Sequence, residues 1–74
     1  MTNEQKQAII EKLARQKRNL EYVSRMHREN RKKGLKEIEM IYYEEEEKEL
    51  AKYEGMLSIA MLAGVTYEDI SFLY

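Results

Sequence analysis

Four consecutive glutamates, Glu44 to Glu47, follow Tyr42 and Tyr43, and Lys48 and Glu49 complete a run of six charged residues. Clustered carboxylates can hold a divalent cation weakly, meet a basic groove on another protein, or stand in for nucleic-acid phosphates, with tyrosine rings adding stacking surface. The loop pattern of an EF-hand is missing. If this face binds a partner, the expected contacts are Tyr42, Tyr43, Glu44, Glu45, Glu46 and Glu47. The plainer expectation is a solvated helix middle laced with ion pairs.

A second set is basic. Arg15, Arg18, Tyr22, Arg25, Lys32 and Lys33 share one side of a helical wheel and could follow a phosphate backbone. Glu11, Glu21 and Glu29 interrupt them. Each stands four residues before a base (Arg15, Arg25, Lys33), the orientation that favours intrahelical pairing. The face reads as solvated first and as a nucleic-acid surface second. The two sets belong to halves of opposite sign. Residues 1–34 carry ten Lys or Arg and four Glu, whereas residues 35–74 carry three Lys and ten acids. Such halves can pair with each other or address different partners.

Nothing else assembles into a catalytic constellation. His27 is the only histidine and there is no cysteine, so one chain has no zinc site of the usual kind. Ser24, Ser58 and Ser71 lie in helical context without a base at a recognisable spacing, and there is no phosphate loop. His27 reads as a packed or capping residue, and Gln16 as a residue that sets register. No enzyme activity, cofactor or metal is expected.

The elements that position these residues are helical. Proline is absent, and the glycines are Gly34, Gly55 and Gly64. The first helix is expected over about residues 3–32. "TNEQ" reads as a capping box, and "ENRKKG" as a basic last turn followed by a left-handed glycine cap. Ile9, Leu13, Gln16, Leu20, Val23 and His27 alternate steps of four and three, the seam of a coiled coil. The second helix is expected over about 35–63, with a stripe of Leu35, Ile38, Tyr42, Glu46, Leu50, Tyr53, Leu57, Ala60 and Gly64 that only Glu46 breaks. Thr66 and Asp69 suggest a third capping box and a short helix over about 67–73.

A short turn makes two long helices antiparallel, with facing residues whose numbers add to roughly 67. That register sets the basic residues 15–19 opposite the acidic run. It also suggests ion pairs of Lys12 with Glu54, Lys17 with Glu47 or Glu49, Arg28 with Glu39, and Arg31 with Glu37.

Ala60 and Gly64, with Ile59, Ala63, Val65, Ile70 and Leu73 at the apolar offsets, resemble the turn of a helix-turn-helix motif. The resemblance covers residues 57–74 and implies a packed helix-turn-helix geometry. The DNA-reading role it implies meets two departures here. The second helix ends where a recognition helix still contacts DNA, and Glu68 and Asp69 in its first turn repel phosphate. The stretch is read as a turn stabilised by packing.

The fold class that follows is all-α: one domain over 1–74, a long coiled-coil-like antiparallel hairpin with a short C-terminal helix, expected as a homodimer. Its apolar end carries Met56, Ile59, Met61, Leu62, Val65, Tyr67, Phe72 and Tyr74, more than one hairpin can bury. The preferred function is a non-catalytic protein-binding module, a small regulator or inhibitor that occupies a partner's surface. Phages and other mobile elements commonly encode such chains, and the acidic face could act as a nucleic-acid mimic. One alternative is a nucleic-acid-binding transcriptional regulator using the basic face or the C-terminal motif. Another is a structural homo-oligomerisation module. The first residues are too polar for a signal peptide, and the longest apolar stretch is about half the ~20 residues of a membrane span. No membrane partner and a cytoplasmic location are expected.

Overall fold

The computed structural model describes residues 1–74. It contains helices α1 (Asn3–Lys32), α2 (Lys36–Leu62) and α3 (Tyr67–Ile70), the last running on as a single 3-10 turn over Ser71–Leu73. α1 and α2 pack antiparallel into a rod 48 Å long and 18 by 16 Å across. The chain is an all-α helical hairpin with a short C-terminal helix. α2 is slightly shorter than its periodicity suggests: Leu35 is its N-cap and Ala63 its C-cap.

Local chemistry accounts for each boundary. The Thr2 hydroxyl accepts from the Gln5 N–H at 3.1 Å, and the Gln5 side chain accepts from the Thr2 N–H at 3.0 Å. These bonds satisfy backbone donors that the first helical turn leaves unpaired. Thr66 and Asp69 repeat the box at α3. Both hairpin helices end in the same closure. After α1, Gly34 has a φ of 72°, its N–H donates to the Arg31 carbonyl, and the Leu35 N–H donates to the Asn30 carbonyl. After α2, Gly64 has a φ of 107°, its N–H donates to the Met61 carbonyl, and the Val65 N–H donates to the Ala60 carbonyl. This is the paired-bond Schellman ending, which needs a left-handed residue that glycine adopts without steric cost.

The apolar core sits at the open end of the hairpin, away from the turn. It joins Ile10 and Leu13 of α1, Tyr53 and Ala60 of α2, and Val65 and Ile70 beyond α2. Leu13 and Ile70 are fully enclosed. Burying a side chain of this size contributes about 1.5–3 kcal/mol, so these two are the main anchors. The α3 segment is therefore part of the core: Ile70 covers the end that two helices alone would leave open.

From the core toward the turn, the interface becomes polar. Gln16 Nε2 donates to the Glu49 backbone carbonyl at 3.0 Å and also to the Glu49 carboxylate. Farther on, His27 Nε2 lies 3.4 Å from Glu39 and Nδ1 lies 3.5 Å from Glu46. Asn30 is buried, and its Nδ2 donates to the Met26 carbonyl at 2.7 Å. The α1 seam of Ile9, Leu13, Gln16, Leu20, Val23 and His27 faces inward, as its spacing predicts.

The α2 stripe needs correction. Leu35, Ile38 and Leu50, expected on the inner face, are exposed, whereas Glu39 and Glu49 turn inward. The reason is complementarity: Gln16 and His27 require polar partners, and rotation of α2 brings carboxylates to them. The cross-helix ion pairs differ too. Arg31 meets Glu39 at 3.9 Å, not Glu37, and Arg28 has no acid within ion-pair distance. Lys17 lies over the rings of Tyr53 and Tyr74, at 5.3 and 4.7 Å from their centroids, instead of beside Glu47 or Glu49. Lys12 lines an apolar groove rather than pairing with Glu54.

Candidate functional site

The acidic run does not form one face. Tyr42, Glu45 and Glu46 are half-buried, with Glu46 turned toward His27. Tyr43, Glu44 and Glu47 are exposed. Tyr43 sets its ring edge-on to His27, centroids 5.5 Å apart. Its hydroxyl is held above the ordinary tyrosine range, first by hydrogen bonding toward Glu47, then by the negative charge of that carboxylate. The His27 ring thus has a carboxylate near each nitrogen and the Tyr43 ring packed at 66° to its plane. A neutral imidazole can donate to one of those carboxylates, an imidazolium to both. No group of three or more histidine, aspartate or glutamate side chains is arranged to hold a metal ion.

The basic residues are all brought to the surface. Arg15, Arg18, Tyr22, Arg25, Lys32 and Lys33 are exposed, and the Arg25 guanidinium lies 5.7 Å over the Tyr22 ring. The pairs Glu11–Arg15, Glu21–Arg25 and Glu29–Lys33 stay beyond ion-pair distance, contrary to expectation. The intrahelical pairs that form are in α2, Glu45 with Lys48 at 3.5 Å and Glu49 with Lys52 at 3.4 Å. Exposed pairs on long side chains gain little over solvation, so their absence on α1 leaves its cations free for water or a ligand.

The open end carries the largest exposed apolar groups. Leu62 is 90% exposed, Ile59 70%, Tyr67 72% and Phe72 64%. Met56 and Met61 are half-buried and pack against the core. Val65, expected on this surface, is buried at 3% exposure. Its position directly after Gly64 in the Schellman ending turns it back onto Ala60, a contact that commonly accompanies this motif. Beside these residues runs an open groove of about 160 Å³ between Ile9, Lys12, Met56, Ile59 and Ala60. The other hollow, about 360 Å³, lies at the hairpin turn among Gly34 to Ile38 and gathers no convergent polar groups.

Two latches hold this end in shape. Lys6 Nζ lies 2.8 Å from Asp69 Oδ2, and the same oxygen accepts from the Thr66 N–H at 2.9 Å. Hydrogen bonding to Lys6 and Thr66 lowers the Asp69 carboxyl to about 2. On the other side the Tyr53 and Tyr74 hydroxyls are 2.8 Å apart, beneath the Lys17 ammonium. Burial, followed by the bond to Tyr74, pushes the Tyr53 hydroxyl upward. Tyr74 is therefore both exposed and part of the fold's closure. Sequence reasoning missed the Asn30 and Tyr53–Tyr74 contacts. Asn30 stands three residues before the C-cap and offered a positional signal, whereas the tyrosine pair depends on how α3 folds back.

No helix is long and apolar enough to cross a membrane. Comparison of the chain with protein-family models, curated proteins and solved structures finds no match.

Proposed function

We propose that the chain is a non-catalytic protein-binding module that acts by occupying a partner's surface. The observation that carries this reading is the exposure of Leu62, Tyr67, Phe72 and Tyr74 together at one end of the rod. Single exposed apolar residues are ordinary, but several large ones at one end of a rod are the pattern of an interaction surface. Tyrosine, phenylalanine and methionine are enriched at such interfaces. The end is held in shape by Ile70 and the Asp69 and Tyr74 contacts, so it is organised before a partner arrives. The outward Tyr43, Glu44 and Glu47 supply an acidic flank that suits a basic rim on the partner, or mimicry of nucleic acid toward an enzyme that binds it.

A second reading rests on the Arg15, Arg18, Tyr22 and Arg25 surface, where cations and an aromatic ring are side by side. It is binding of a nucleic-acid backbone.

One experiment separates the readings. The chain is immobilised in three forms, wild type, Leu62→Lys and Arg18→Glu, with helicity checked by circular dichroism, and exposed to extract of its source cell. Protein binding at the open end predicts specific protein retained by wild type and Arg18→Glu and lost with Leu62→Lys. Retention of nucleic acid, lost with Arg18→Glu and falling steeply as salt rises, supports the second reading. Equal retention by all three forms rejects both surfaces.

A further inference from the structure

One flank of α2 has a pattern that the hairpin core and the open end use only in part, through Met56 and Ile59. Ile38, Ile41, Glu45, Lys52, Met56 and Ile59 follow one another at steps of three, four, seven, four and three. At about 100° per residue they fall within roughly 60° of arc, beside the face that meets α1. Ile38, Ile41 and Ile59 are exposed, and Met56 is half-buried at the lip of the groove that Ile9 and Lys12 complete.

The order reads the same from both ends in shape and with opposite sign in charge. Its centre lies between Lys48 and Glu49. Ile38 and Ile59 are equidistant from that centre, as are Ile41 and Met56, and Glu45 and Lys52. We infer that this flank is the two-fold interface of a homodimer, in which α2 of one chain lies antiparallel on α2 of a second copy. In that register Ile38 meets Ile59 of the other copy, Ile41 meets Met56, and Glu45 meets Lys52. The two-fold axis repeats each contact, as an isologous interface requires.

The charges choose the direction. A parallel pairing would set Glu45 against Glu45 and Lys52 against Lys52, whereas the antiparallel one makes two opposite-charge contacts across the seam. In the single chain Glu45 meets the exposed Lys48 at 3.5 Å, a weak competitor, and Lys52 reaches the inward-turned Glu49 at 3.4 Å, a carboxylate that Gln16 already engages. The spacing of three and four on each side of centre is that of a coiled-coil seam, and the half-filled groove at Met56 and Ile59 offers a place for the partner's Ile38 and Ile41. No other face offers this symmetry. The outer side of α1 is dominated by charge, and on the far flank of α2 the one symmetric pair, Tyr43 and Leu50, is flanked by two acids, Glu39 and Glu54, that would repel across a two-fold seam.

This assignment rests on the binding-module reading for its general premise. It leaves Leu62, Tyr67, Phe72 and Tyr74 available to a different protein. The test is solution mass against concentration by sedimentation equilibrium, with helicity measured on the same samples. Wild type should form a dimer. E45K and K52E should each weaken it by roughly tenfold, and the double variant E45K/K52E should restore it. Direction is read by oxidation of cysteine variants: I41C chains mixed with M56C chains should cross-link, and I41C chains alone should not. A chain that is monomeric at every concentration, a dimer indifferent to the charge swaps, or I41C cross-linked to itself would overturn the inference. Those outcomes leave the Leu62 capture result untouched, and loss of capture leaves the solution mass unchanged.

Discussion

Asp69 concentrates three contacts in one carboxylate: the Lys6 ammonium, the Thr66 N–H and the Thr66 hydroxyl. They tie the start of α1 to the start of α3, so the N-terminal and C-terminal segments hold each other. The carboxyl is lowered to about 2 from its ordinary value, which means that folding favours its charged form. Its contribution is therefore present above about pH 4 and is lost as pH falls through the native value. Asp69→Asn should lower the thermal midpoint at pH 7. The gap should narrow as the pH approaches 2, where the wild-type carboxyl is about half protonated, and close below it. Thermal melts at both pH values measure this. A constant gap between the two proteins at all pH values would assign the effect to packing, not to charge.

At the scale of the element, two glycines in α-helical surroundings should respond in opposite directions. Gly34 has a positive φ and closes α1, whereas Gly55 lies inside α2 with nothing within 4 Å of where a Cβ would stand. Gly34→Ala strains a left-handed position and should cost about 1–2 kcal/mol. Gly55→Ala removes chain entropy from the unfolded state and should stabilise by about 0.5–1 kcal/mol. Urea denaturation of both variants gives the signs directly. The same elements show how much is legible in the chain alone. Both Thr capping boxes, both glycine endings and the α1 seam are local patterns, and the structure has them where the spacing puts them. The inner face of α2 is harder to read because hydrophobicity ranks Leu50 above Glu49. In the fold the amide of Gln16 determines which of the two turns inward. Register gives the heights of facing residues, as Gln16 against Glu49 and His27 against Glu39 confirm, but not their angle about the helix axis. Ion pairs depend on that angle, so Arg31 meets Glu39 and Lys17 meets two tyrosines.

At the scale of the whole molecule, the rod divides along its length. The open end is an apolar core capped by α3, the middle is a polar seam, and the turn end is held by Asn30 and the His27 carboxylate contacts. A chain of this size has little stability to spare, and exposed Ile, Leu and Phe side chains bring solubility cost without folding benefit. Placement of most of those side chains at one end and along one flank, with Leu35 and Leu50 the exceptions, gives the binding reading its physical basis. The basic face of α1 and the acidic run of α2 remain surface features whose outward members can tune encounter with a partner.

The central claim is that the open end is an interface in its working setting. Oxidative side-chain footprinting tests it whatever the partner is. The tagged chain is labelled in dilute buffer and in extract of its source cell, and labelling is compared residue by residue. Tyr67 and Phe72 should lose labelling in extract, while Tyr22 on the basic face keeps it. Unchanged labelling of Tyr67 and Phe72, with protection confined to Tyr22, would show that the open end is not the interface.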